Sequence, residues 1–158
     1  MLSTTEVQLT KTFPAAAFRE ALESWSWLPL AGKVPILATA FGDVILQDPE
    51  GYWFLDAAGG KLEKIASNRD ELRAAFSSPE GQDQYLLAGL AHAAETQGLM
   101  LAESEVFDFT QPPVLGGQFG VENLQPKDFV VSLNISGQIH NQVRNLPPGT
   151  RISNVKIS

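Results

Sequence analysis

The sequence contains no cysteine, which excludes disulfides, thiolate metal sites and a thiol nucleophile. Its only histidines are His92 and His140, and neither has a second histidine four residues away, the spacing that sets two imidazoles on one helix face for a metal. Long apolar runs are also missing. The longest, Tyr85 to Ala94, is interrupted by Gly89 and His92 and falls well short of the ~20 residues that span a bilayer, so no membrane partner is expected. Met1 to Lys11 shows no basic stretch leading into an apolar one, the mark of a secretory or transit signal, and the chain reads as cytoplasmic. A basic stripe is absent as well, and without one phosphates cannot be neutralised, so direct nucleic-acid binding is not expected.

Motifs for chemistry fail on spacing. Gly116-Gly117-Gln118-Phe119-Gly120 lacks the Lys-Ser/Thr that completes a phosphate loop, and Asn134-Ile135-Ser136-Gly137 lacks the glycine two residues before serine that builds a nucleophile elbow. Asp43, Asp48 and Asp56 could be claimed as paired carboxylates, but each lies beside a turn, where aspartate is favoured for bonding nearby backbone amides. No cofactor, metal or catalytic set is expected, and the chain reads as a binding protein rather than an enzyme.

What the sequence does hold is core material and acid. It has 158 residues of which 44% are hydrophobic, with three tryptophans, enough to bury one sizeable core and to fold as a single domain over residues 1–158. Residues 1–73 carry seven basic and ten acidic groups, residues 74–126 carry none and seven, and residues 127–158 carry four and one. The net charge of −7 therefore belongs to the middle segment. Clustered acid either steers a basic partner or serves as a solvated face.

Phe18, Ala21, Leu22, Trp25 and Leu28 recur at helical spacing, predicting a helix over about 13–28 with one apolar face. Val34 to Ala40, Asp43 to Gln47, Tyr52 to Asp56 and Lys61 to Ile65 are short β-branched and aromatic runs separated by turn residues, predicting an antiparallel meander. Ser67 or Asn68 can cap a helix through Phe76, and Ser78-Pro79-Glu80 opens another running to Gln97 before Gly98. Leu99 to Phe119 reads as a wrapping loop that carries Phe107, Phe109 and Phe119. Alternation over Asp128 to Ile135 predicts a strand, and Gly137 to Asn145 a helix. After a turn at Leu146-Pro147-Pro148-Gly149, Arg151 to Ile157 alternates again as a closing strand. The expected class is α+β, an antiparallel sheet made of the meander and a closing carboxy-terminal strand, packed against helices.

One pattern goes beyond fold class. Phe41-Gly42-Asp43, then Leu55-Asp56 and Gly60-Lys61-Leu62, then Pro113-Val114-Leu115-Gly116-Gly117 with Glu122-Asn123, resembles the family of immunity proteins that protect against a type VI secretion DNase toxin. Gly137-Gln138-Ile139-His140, Gln142-Val143 and Leu146-Pro147-Pro148-Gly149-Thr150 resemble the end of some members, so the likeness runs over about 34–157. It implies a cytoplasmic protein that neutralises a toxin, a nuclease in the founding case, by direct binding, and the acidic segment makes a basic toxin the expected partner. Of the motif residues, Phe41, Gly42, Asp43, Leu115, Gly116, Gly117, Glu122 and Asn123 are expected to be structural. Glu103, Glu105 and Asp108, beside the aromatic anchors Phe107 and Phe109, are the expected partner contacts. Phe107 and Phe109 could equally pin the loop to the core. The alternative is a small-molecule-binding or regulatory domain with a pocket lined by Trp25, Trp27 and Trp53, residues that also fit a core.

Overall fold

Short β-branched and aromatic runs between turns build the main sheet. In the computed structural model, which describes residues 8–147, 149–152 and 154–158, strands β1 (Thr10–Lys11), β2 (Val34–Thr39), β3 (Val44–Asp48), β4 (Gly51–Asp56) and β5 (Lys61–Ala66) form one antiparallel sheet in chain order. Residues 1–7, Pro148 and Ser153, on which parts of the expected lead-in, final turn and closing strand fall, lie outside the described residues. The four-stranded meander lies where expected, and the two-residue β1 extends it by one edge.

Both faces of this sheet are covered, which is why Val44, Ile45 and Leu46 are all buried in β3. One face carries Ala38, Val44, Leu46 and Leu55 against Phe18, Trp25, Phe129 and Leu133. Phe18 belongs to helix α1 (Ala15–Leu22) and Trp25 to the 3-10 turn that continues it (Glu23–Trp25), so the predicted apolar stripe is buried on a helix shorter than expected. The other face carries Ile45, Tyr52, Phe54 and Ala66 against Leu72, Phe76 and Tyr85, from α2 (Arg69–Ser77) and α3 (Pro79–Leu86). Asn68 caps α2 by accepting the Glu71 amide at 2.9 Å, and Ser78 caps α3 by accepting the Gly81 amide at 3.0 Å. These side chains satisfy amides that a helix start leaves without partners.

Three expectations are corrected. The helix predicted from Pro79 to Gln97 is broken at Leu87, whose φ of 50° is left-handed, and it resumes as α4 (Ala88–Thr96). Asp83 Oδ1 accepts the Gly89 amide across the break at 3.2 Å. The expected loop at 99–119 contains strand β6 (Glu105–Phe109), paired antiparallel with β7 (Leu124–Asp128) in a separate ribbon. Residues 129–143 form one helix, α5 (Phe129–Val143), with no strand at its start; Asp128 caps it by accepting the Val131 amide at 3.2 Å. Its buried face includes Phe129, Ser132, Leu133, Gly137, Ile139 and His140, with Ser136 half-buried beside them, grouped on one side of a helix, whereas Val131 is exposed.

Among the described residues of the expected closing strand at 151–157, none joins either sheet. Residues 156–158 instead pair with side chains of α5. Gln142 Oε1 accepts the Lys156 amide at 2.8 Å and Gln138 Oε1 accepts the Ser158 amide at 2.7 Å. Each glutamine also donates its amide to the carbonyl of the same residue. Residues four apart on a helix thus meet residues two apart in the extended tail, which keeps the alternation of a strand without a ladder.

Gly137 sets how closely α5 approaches the first helix. A β-carbon there would lie 2.1 Å from Ser24 Oγ and 2.8 Å from the Trp25 indole, while Ser24 is held by donating to Asn134 O at 2.7 Å. Glycine to alanine inside a helix ordinarily stabilises by about 1 kcal/mol. Here the overpacking, at about 1–3 kcal/mol, outweighs that gain. Gly137→Ala is therefore expected to lower the urea midpoint, and a raised midpoint would contradict this packing.

Candidate functional site

The expected partner residues occupy three different environments. Glu103 is exposed. Glu105 is half-buried and folds back on its own chain, its Oε1 accepting the Ala102 amide at 2.8 Å, while Lys11 Nζ donates to the Ala102 and Glu105 carbonyls. Asp108 accepts from Ser132 Oγ at 2.7 Å and from Gln125 Nε2 at 3.2 Å, with Lys127 Nζ at 3.8 Å. Phe107 is 1% exposed and packs with Phe41 at 5.4 Å, so it is a core residue with no surface to offer. Phe109 lies 6.0 Å from Phe41 and 5.1 Å from Phe119. Phe119, which is 57% exposed, is the outermost ring of this row and was not singled out as a contact from the sequence.

The glycine-rich loop is built by backbone bonding. Asn123 Oδ1 accepts the Gln111 amide at 2.9 Å, and its Nδ2 donates to the Gln111 and Gln118 carbonyls at 2.9 Å each. Gly117 passes so close that a β-carbon would overlap the Gln111 carbonyl, and Gly116, with φ of 97°, closes the short turn Pro113–Leu115. Glu122 is exposed.

Asp43 and His140, 97 residues apart in the sequence, meet at one peptide. Ala57 donates its amide to Asp43 Oδ1 at 2.8 Å. Its carbonyl accepts from Ser136 Oγ at 2.8 Å and lies 2.9 Å from His140 Nε2, an arrangement that requires the proton on Nε2. Thr39 Oγ1 donates to Asp43 Oδ2 at 2.8 Å. Burial, reinforced by the neighbouring Asp56 carboxylate, pushes the Asp43 carboxyl up to about 7 despite those hydrogen bonds. Burial also holds His140 below the ordinary imidazole range, which favours its neutral form.

Above this junction opens a cleft of about 720 Å³ between α3, the β6–β7 ribbon, the 110–119 loop and α5. Asp43, Asp56, Asp108 and Lys127 supply its charged groups, and Phe54, Tyr85, Phe109 and Phe119 its aromatic walls. Trp25, Trp27 and Trp53 do not line it. Trp25 is fully buried and donates Nε1 to the Leu133 carbonyl at 2.9 Å, Trp27 stacks on it, and Trp53 lies under Lys33. Among the described residues, no three His, Asp or Glu side chains gather as a metal would need, and no helix is long and apolar enough to cross a membrane.

Residues 66–140 match the family model of the T6SS immunity protein Tdi1, C-terminal. The type VI secretion immunity family read from the motifs is thus the family this segment matches. The matched segment runs from the end of β5 through His140 and includes α3, the ribbon and most of α5, the elements that wall the cleft. In three dimensions the chain is similar to the crystal structure of Atu4351 from Agrobacterium tumefaciens, with a TM-score of 0.57 and 14% identity, covering 84% of this chain and 68% of that one. At that identity the likeness is one of fold. A search of curated proteins finds none that matches.

Proposed function

We propose that this protein is a cytoplasmic immunity protein that neutralises a secreted toxin by binding it directly, acting as a single domain and without catalysis. The observation that carries the reading is the family match over residues 66–140. The charge distribution supports it. The acidic span from 74 to 126 contains seven carboxylates and no cation, and Glu80, Glu95, Glu103 and Glu122 within it are exposed. A nuclease is the toxin class this surface suits best, because a cleft that holds phosphates is positive and offers the complementary field.

The test uses the protein encoded by the adjoining reading frame, purified as an inactive variant. Wild-type protein should bind it, and coexpression should protect cells from its active form. Replacing Glu80, Glu95, Glu103 and Glu122 together with glutamine should slow association about tenfold at low salt and flatten the salt dependence. The urea midpoint should hardly move, since exposed charges contribute little to stability. If the wild type neither binds nor protects, the immunity reading fails. An unchanged association rate in the quadruple variant would remove the acidic surface from it.

A further inference from the structure

We propose that the cleft receives an arginine presented on a loop of the partner protein, with Asp56 as its carboxylate anchor. This rests on the reading of the chain as a toxin-binding protein and names where and how that binding is anchored.

Three observations converge on a guanidinium. The first is shape: a cleft of about 720 Å³ has the volume of a ligand site, ~300–1,000 Å³, and aromatic rings, among them Phe54, Tyr85 and Phe109, contribute to its lining. Guanidinium groups pair with aromatic rings, and more readily than ammonium groups do. The second is charge. Lys127 is occupied by Asp108 at 3.8 Å, and His140 gives its ring nitrogen to the Ala57 carbonyl at 2.9 Å. Asp43 and Asp56 are left without a cationic partner among the described residues. They flank a single peptide, since Asp56 precedes the Ala57 whose amide Asp43 accepts. Asp56 Oδ1 accepts the Gly59 amide at 2.9 Å, while no described donor bonds Oδ2. A cation bound there would relieve the repulsion between the two carboxylates, part of what raises Asp43. The third is the rim. Phe119, 57% exposed, offers the sort of aromatic contact found in protein interfaces, so the arginine is one held by a protein. The planar fork of a guanidinium also fits a carboxylate in an aromatic-lined cleft, where a lysine could neither bond in bidentate fashion nor stack.

The experiment has two arms. In the first, N-acetyl-arginine amide and its neutral citrulline analogue are titrated into the full chain while the Ala57, Ala58 and Gly59 amides are followed by NMR. The arginine probe should shift these amides saturably and the citrulline probe should not, and Asp56→Asn should abolish the response. In the second, the inactive toxin is titrated into wild type, Asp56→Asn and Phe119→Ala. Asparagine can still accept the Gly59 amide, and Phe119 is exposed, so both variants should fold. Losing a charged hydrogen-bond partner should weaken binding about tenfold or more. Equal response to arginine and citrulline, or no response to either, overturns the proposal. Toxin affinity unchanged in both variants also overturns it while leaving the immunity reading intact. Failure of the wild type to bind toxin defeats the immunity reading, and the first arm then decides the cleft chemistry alone.

Discussion

Trp25→Ala is expected to lower the unfolding free energy by about 3–5 kcal/mol, the usual range for truncating a large buried aromatic. Trp25 is 0% exposed and sits where the first helix, the sheet and α5 meet. Its ring stacks on Trp27 at 5.6 Å and lies 5.7 Å from His140, and its Nε1 donates to the Leu133 carbonyl at 2.9 Å. The absence of a side chain at Gly137 is what admits the indole, so the cavity left by alanine is lined by a helix that cannot move inward without losing its own contacts. Trp25→Phe should fall between the two, keeping most of the ring packing but losing the indole hydrogen bond, worth about 1 kcal/mol. Urea denaturation reads both. A midpoint for Trp25→Ala equal to wild type would refute the packing of α5 against the first helix.

Stability should also depend on pH through Asp43. Its folded value of about 7 lies well above its ordinary 3.8, so between these values the folded state holds more protons than the unfolded chain. The stabilising contribution is complete below about pH 4 and is lost as pH rises through 7, with a slope approaching about 1.4 kcal/mol per pH unit at most. His140 works in the opposite sense. Burial lowers its value, so its contribution is present above the ordinary imidazole value and is lost as pH falls through its folded value. Because the two slopes oppose each other below pH 6.5, the informative measurement is a difference. The unfolding free energy of wild type minus that of Asp43→Asn should decline as pH rises from 4 to 7. A flat difference would mean that the carboxyl is not held high by its burial.

Where the local pattern is uniform, it was legible in the sequence. The stripe of Phe18, Ala21 and Trp25 follows the helical period because one face of that helix is apolar, and β2 to β5 stand out as β-branched and aromatic runs bounded by turn residues. The reading failed on α5 because polar and small residues lie on its buried face. Ser132 bonds Asp108, Ser136 and His140 bond Ala57, and Gly137 makes room for Trp25. With these four removed from any hydrophobic count, the remaining apolar residues happened to alternate like a strand. The ribbon was hidden for another reason: Glu105 and Asp108 interrupt β6, and β7 carries Gln125, Pro126, Lys127 and Asp128, so neither strand is a β-branched or aromatic run. The tail alternates because it is extended, but glutamine side chains take the place of a neighbouring strand. For the site, Asp43 and Asp56 were legible as turn aspartates. Their sharing of a cleft was not, because its lining comes from stretches as far apart as Phe41 and His140, and only the fold brings these together.

The placement of α5 also bears on how the chain is made. The cluster around Phe18, Trp25, Val44 and Leu46 is completed only by Phe129 and Leu133, and the bond from Trp25 to Leu133 spans 108 residues. At translation rates of ~5–20 residues per second, roughly 5–20 s separate the synthesis of Trp25 from that of its acceptor. Throughout that interval this face of the emerging meander has the first helix against it but lacks Phe129 and Leu133, and part of its apolar surface is uncovered. The nascent chain is therefore open to aggregation and to capture by a chaperone until α5 clears the ribosome, and the steps that complete the cleft and bury Trp25 both wait for that helix.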